Sequence, residues 1–208
     1  PSDLVADLAT TYHIDTFVET GTYQGGTAVW ASRYFPAVIT IENAAEIYAS
    51  TRDAHRNIRN IRFINGDTRQ VLRDLVPTFT APVVFWLDAH WSGGTTYGAD
   101  DECPLLEELH IINASPLNHH ILIDDARLFL SPPPPPHQLD QWPSISTILD
   151  ALNKRDRYIV IYEDVIIAAP RDARDIVARY CRSASADWSR ARGSISSLVR
   201  RIQTIFRT

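Results

Sequence analysis

Short, nearly continuous apolar runs alternate along this chain with stretches whose apolar residues recur at three- and four-residue spacing. The runs Ile14–Glu19, Val38–Glu42, Ile61–Ile64, Val83–Asp88, Ile121–Asp124, Tyr158–Tyr162 and Val165–Ala169 predict strands. Several carry almost no polar residue, as expected of strands covered on both faces. The stretches Thr27–Tyr34, Ala44–Asn57, Arg69–Leu75, Pro104–Asn113 and Ser144–Asn153 predict helices between them. This alternation is the pattern of an α/β, doubly wound, Rossmann-like sheet with helices on both faces. The last two runs break it. Only Glu163 and Asp164 separate them, too few residues for a parallel crossover, so they predict an antiparallel hairpin. The expectation is a seven-stranded sheet of five parallel strands closed by a C-terminal antiparallel hairpin.

Composition narrows the class without naming a function. The 208 residues suit one domain spanning 1–208, and 45% hydrophobic with 22% charged residues is ordinary globular usage. A formal charge of -5 argues against nucleic acid as the partner. The charge is uneven, since residues 171–208 hold nine arginines against Asp172, Asp175 and Asp187. Within that tail Ile195, Leu198, Val199, Ile202, Ile205 and Phe206 form one apolar stripe at helical spacing. Residues 194–208 therefore predict an amphipathic C-terminal helix that packs on its own domain, pairs two copies into a homodimer, or lies on an acidic membrane. Cys103 and Cys181 form neither a disulfide framework nor a zinc pattern. No apolar run reaches the ~18 residues of a membrane span and no signal-peptide pattern is visible, so a cytoplasmic location is expected.

The candidate chemistry lies at the strand ends, where open α/β sheets bind ligands. The first strand runs into Glu19, Gly21, Thr22, Tyr23, Gly25 and Thr27, a glycine turn where backbone can approach a ligand and a helix offers free N–H groups. The second ends in Glu42-Asn43, placing a carboxylate about 20 residues beyond the turn, where it suits ribose hydroxyls. Tyr23 occupies a position that a dinucleotide fingerprint gives to glycine. Glu19 suits a cationic ligand end such as an amino group. Asp67-Thr68 follows the third strand, where Asp67 caps the next helix, accepts from an adenine amino group, or both. Asp88 and His90 follow the fourth strand, and Asp124-Asp125 the fifth. Such hard oxygen donors suit Mg²⁺ or Mn²⁺, and His90 suits general-base catalysis near neutral pH. Two segments, Trp91–Cys103 with three glycines and Ser131–Pro143 with five consecutive prolines, predict loops that wall a substrate site.

Taken together, FVETGTYQGGT, TIEN and INGD resemble the motifs of class I S-adenosylmethionine-dependent methyltransferases over about Ile14–Ala169. The closing hairpin is similar to that family's seventh strand. Within the class, VVFWLDAHWSGG followed by ILIDDARLF resembles bacterial metal-dependent sugar O-methyltransferases of the macrocin and aminocoumarin type. The resemblance implies S-adenosylmethionine at Glu19, Gly21, Thr22, Tyr23, Gly25, Thr27, Glu42, Asn43, Asp67, Thr68 and Asp88. It implies a divalent cation at Asp88, Asp124 and Asp125 and O-methylation of a small-molecule hydroxyl. That family places a catalytic Asp two residues after the first ligand; this chain has His90 there, and its glycine loop also departs. Three other readings stay open: an NAD-dependent oxidoreductase, which leaves the carboxylate cluster unexplained; a metallohydrolase built on Asp88 and His90, which leaves the glycine turn idle; and a non-catalytic cofactor-binding scaffold.

Overall fold

In the computed structural model, which describes residues 1–91, 98 and 101–184, the chain forms one seven-stranded sheet. The strands are β1 (Thr16–Thr20), β2 (Ala37–Glu42), β3 (Ile61–Asn65), β4 (Val84–Leu87), β5 (His120–Ile123), β6 (Arg157–Tyr162) and β7 (Val165–Pro170). The helices are α1 (Ser2–Tyr12), α2 (Gly26–Ala31), α3 (Ala45–Ala54), α4 (Thr68–Leu75), α5 (Leu105–Ala114), α6 (Arg127–Leu130), α7 (Ile145–Asn153) and α8 (Arg174–Ala184). Strand order is β3-β2-β1-β4-β5-β7-β6. The first five strands are parallel, and β7 enters antiparallel to both β5 and β6. The expected architecture is thus present. The hairpin turns on Glu163 and Asp164 at φ 50 and 65, both left-handed, as a two-residue turn matched to strand twist requires.

Alternation along each strand divides the core into two layers. Val18, Phe85, Ile121, Ile123 and Ile166 point to one face, where Leu72 and Leu75 of α4, Leu109 and Ile112 of α5 and Ile148 and Leu152 of α7 cover them. Phe17, Val84, Leu122, Val165 and Ile167 point to the other, under α1, α2 and α8. Ser144 caps α7, its hydroxyl accepting from the Thr147 amide at 3.2 Å, and Asp67 caps α4. Three packing helices, α1, α6 and α8, were absent from the sequence expectation. In α1 the inward positions Leu4, Val5, Leu8 and Ala9 are interleaved with polar residues and threonines, and in α8 Val177 is fully buried among arginines. The expected helix over 194–208, and with it dimer pairing through that helix, lies outside the described residues. Among the described residues no helix is long and apolar enough to cross a membrane.

Candidate active site

The chain leaves β1 toward β2 and β3 on one side, then returns to place β4 on the other. Such a switch point opens a crevice at the carboxyl ends of the strands. A cavity of about 360 Å³ lies there, lined by Gly21 and Tyr23 after β1, Glu42 and Asn43 at β2, Asp67 to Arg69 at α4, and Asp88 to His90 after β4. Asp101 and Pro104 close its rim. The structure therefore brings Gly21, Tyr23, Glu42, Asn43, Asp67, Thr68, Asp88 and His90 together around one cavity.

The glycine turn is built differently from the expectation. Gly21 has φ +84, and a Cβ there would stand 2.2 Å from the Asp88 carbonyl oxygen. The backbone just after the neighbouring strand β4 already requires glycine there. At Gly25, the left-handed N-cap of α2, a Cβ would press on Thr51 and His55 of the α3 segment. Thr51 Oγ1 donates to the Tyr23 carbonyl at 2.5 Å. Thr22 is buried and shares a hydroxyl hydrogen bond of 2.6 Å with Thr40. Glu19, Thr22, Gly25 and Thr27 do not line the cavity. Glu19 lies beneath the turn, 2% exposed, accepting from Thr40 Oγ1 at 2.6 Å and from Thr27. Burial pushes its carboxyl up to about 8 against the pull of those hydroxyls.

At the other end of the turn Glu42 is set by two backbone amides. Oε2 accepts from Tyr23 N and Oε1 from Ala44 N, each at 2.9 Å. Each oxygen keeps a lone-pair site for a hydroxyl in the cavity. Asp67 accepts from Arg69 N at 2.8 Å and is gripped by the Arg69 guanidinium, which holds its carboxyl below the usual range. Arg69 also reaches Asp101 at 2.6 Å and Glu107 at 2.8 Å, tying the rim to α4.

At the β4 end of the cavity, Asp88, His90 and Asp125 each place a ligand atom within 4.8 Å of the other two. His90 Nε2 and Asp125 Oδ2 are hydrogen-bonded at 2.9 Å, and His90 Nδ1 lies 3.7 Å from Asp88 Oδ1. Arg127 takes the other oxygen of Asp125 at 2.7 Å. Asp124 stands outside this group, its Oδ1 accepting from the Asp125 amide at 2.9 Å. The pair lies just beyond β5, and the left-handed backbone at Asp125, φ 54, turns its side chain toward His90. Burial raises Asp88 to about 7; His90 opposes this, while Asp124, Asp125 and Glu108 add to it. Burial would lower His90, but the Asp125 hydrogen bond and the surrounding carboxylates outweigh it and raise its pKa. Asp125 is lowered, first by the His90 hydrogen bond, with burial opposing. The donor set, two carboxylates and an imidazole, is one that Mn²⁺ or related cations accept.

Sequence reading passed over Arg69, Asp101, Glu102 and Glu108. Only Glu108 carried a visible signal. It occupies an inward position of the stripe Leu105, Glu108, Leu109, Ile112 and is 1% exposed, with Oε1 unpartnered. Its pKa is raised to about 7, chiefly by burial.

No protein-family model matches this chain, and no curated protein sequence does. Solved structures do match. The chain is similar to the O-methyltransferase TomG of Streptomyces achromogenes, involved in tomaymycin synthesis and solved with SAM, at 16% identity and TM-score 0.57 over 81% of this chain and 79% of that one. It is similar to the O-methyltransferase of Bacillus cereus solved with SAH, at 11% identity and TM-score 0.57 over 81% and 80%. It is also similar to the SAH-bound Podospora anserina methyltransferase PaMTH1, at 14% identity and TM-score 0.56 over 82% and 77%. At these identities the likeness establishes a shared fold, the seven-stranded sheet described above.

Proposed function

We propose that this chain is an S-adenosylmethionine-dependent methyltransferase acting on a hydroxyl oxygen of a small molecule. The observation that carries the reading is the single cavity joining Glu42 and Asn43, through Asp67 and Thr68, to Asp88 and His90. When bound, S-adenosylmethionine supplies a methyl group activated by its sulfonium. Glu42, fixed by two amides, accepts from ribose hydroxyls, and Asn43 and Thr68 flank it. Asp67, already committed to Arg69, offers at most a remaining lone pair to an adenine amine. The similar structures solved with SAM or SAH point the same way. An NAD-dependent oxidoreductase is less well supported, because Tyr23 on the cavity wall stands where a dinucleotide fingerprint has glycine.

Methyl transfer to oxygen needs an aligned nucleophile and a proton acceptor. His90 is placed to take that proton, since Asp125 and Asp88 both stabilise its charged form. Alternatively a divalent cation, Mg²⁺ or Mn²⁺, would be held by Asp88 and Asp125 with His90 and would acidify a bound hydroxyl, with His90 then a ligand instead of the base. One observation favours a cation-free variant: His90 and Arg127 between them already satisfy both oxygens of Asp125. Transfer of a labelled methyl group to a panel of sugar, phenol and natural-product hydroxyls, with Mg²⁺ and with excess EDTA, tests the proposal. Transfer that chelation abolishes supports the cation. Transfer that survives EDTA leaves the His90–Asp125 pair as the base, and no transfer to any acceptor counts against the enzyme.

A further inference from the structure

Two loops flank the reaction end of the cavity, one leaving β4 after His90 and one running from α6 through the five prolines to α7. Glu102, in the first, has a side chain with no exposed area. Its Oε2 accepts from Trp142 Nε1 at 2.5 Å and lies 3.1 Å from His137 Nδ1, and its Oε1 accepts from Gln138 N at 3.0 Å. Its own amide donates to Gln141 Oε1 at 2.8 Å. Its carbonyl accepts from the amide of Trp91, the residue after His90, at 2.7 Å. A carboxylate hidden from water is costly unless its oxygens are filled. Here burial pushes the pKa up, but Trp142, Gln138 and His137 outweigh it and hold the group ionised below the usual range. An apolar side chain could fill the same space. A carboxylate additionally fixes where three donors converge.

The consequence reaches the reaction centre through one ring. Trp142, buried, stands edge-on to His90 with centroids 5.5 Å apart and planes at 60°, and meets Phe129 at 5.5 Å. His137 continues the packing, 5.0 Å from Trp142 and 5.4 Å from Trp91. We propose that Glu102 is a positioning residue: it fastens residues 137–142 to the loop leaving β4 and so holds Trp142 against the His90 ring. Glu102 does not line the cavity and touches no reacting atom. It acts through Trp142 and through the Trp91 amide, tying residues 137–142 to Trp91 and Glu102. The importance of these contacts for methyl transfer rests on the role given to His90 above.

The test is Glu102→Gln, which keeps the volume but offers one acceptor oxygen where three donors converge. Hydrogen exchange of amides 137–142 and the ring-nitrogen signals of His90 in histidine-labelled protein are read together, with S-adenosylhomocysteine binding as the control. Charged hydrogen bonds of about 1.5–3 kcal/mol predict exchange faster by about ten- to a hundredfold. His90 signals should shift or broaden while the dissociation constant stays within about twofold, these contacts being separate from Glu42. Faster exchange with unmoved His90 signals would make Glu102 a loop fastener only and overturn the proposal, as would no change in either. Should this variant not fold, Glu102→Asp keeps the charge but withdraws it by one methylene. The same two changes are expected there, and unmoved His90 signals again overturn the idea. Neither readout needs a cofactor, so a wild-type protein that fails to bind S-adenosylhomocysteine would refute the methyltransferase reading while leaving this contact network testable.

Discussion

Replacing Glu19 by Gln should stabilise the unliganded protein at neutral and alkaline pH. The folded carboxyl holds its proton up to about 8, against an ordinary 4.5 in the unfolded chain. Between those values the native state binds a proton that the unfolded state has released, so stability falls as pH rises, by about 1.4 kcal/mol per pH unit. The penalty is absent below pH 4.5, roughly 3 kcal/mol at pH 7, and constant above pH 8. Glutamine is neutral throughout, and its carbonyl can go on accepting from Thr40. Its amide needs a new acceptor beside Thr27, which offsets part of the gain. The penalty reaches about 5 kcal/mol at pH 8, and an offset of about 3 kcal/mol leaves a net of about 2, seen as a melting temperature higher by about 4–8 °C, with the advantage vanishing near pH 6.5 and reversing below it. Asp88 and Glu108 add slopes of the same sign in both proteins, so the difference between the two melting curves isolates Glu19. A difference that is the same at pH 5 and pH 8, or a variant less stable at pH 8, would refute the reasoning. Because Glu19 is hidden from the cavity, S-adenosylhomocysteine affinity should change by less than about threefold. A larger loss would put Glu19 on the ligand's amino group, as its place in the sequence suggested.

Three further substitutions probe other parts of the site. Gly21→Ala should lower the melting temperature and abolish cofactor binding, because its Cβ meets the Asp88 carbonyl at 2.2 Å and the left-handed backbone adds about 1–2 kcal/mol; a calorimetric titration matching wild type would show that the turn can relax. Glu42→Gln should weaken S-adenosylhomocysteine about ten- to a hundredfold, each hydrogen bond to a charged acceptor contributing about 1.5–3 kcal/mol, and unchanged affinity would remove Glu42 from the ribose. His90→Ala should slow single-turnover methyl transfer by about 10² to 10⁴ without altering cofactor affinity; an unchanged rate would dismiss it as the base.

The sheet was legible because its signals are local. Strands covered on both faces read as apolar runs, and two residues between the last pair allow only a hairpin. The carboxylates at the cavity wall were legible for the same reason, each ending a strand. Most of what stayed hidden depends on partners distant in sequence. The helices α1 and α8 did carry apolar positions at three- and four-residue spacing, Leu4, Val5, Leu8 and Ala9 in one and Val177, Tyr180 and Cys181 in the other, but these stripes are short and lie outside the strand–helix alternation. Asp88 and His90, two apart, were readable as neighbours, whereas which of Asp124 and Asp125 joins them turns on the left-handed backbone at Asp125, φ 54. The reason for glycine at 21 lies 67 residues away at Asp88. Glu102 draws its donors from residues 137–142, across a stretch that composition marks only as loop.

The central claim is that the cavity at the switch point is built for S-adenosylmethionine. Titration calorimetry of the purified protein with S-adenosylhomocysteine and, separately, with NAD addresses it most directly. Saturable one-to-one binding of S-adenosylhomocysteine, lost in Glu42→Leu, with no heat from NAD, is the predicted result. Binding of NAD with none of S-adenosylhomocysteine would contradict it.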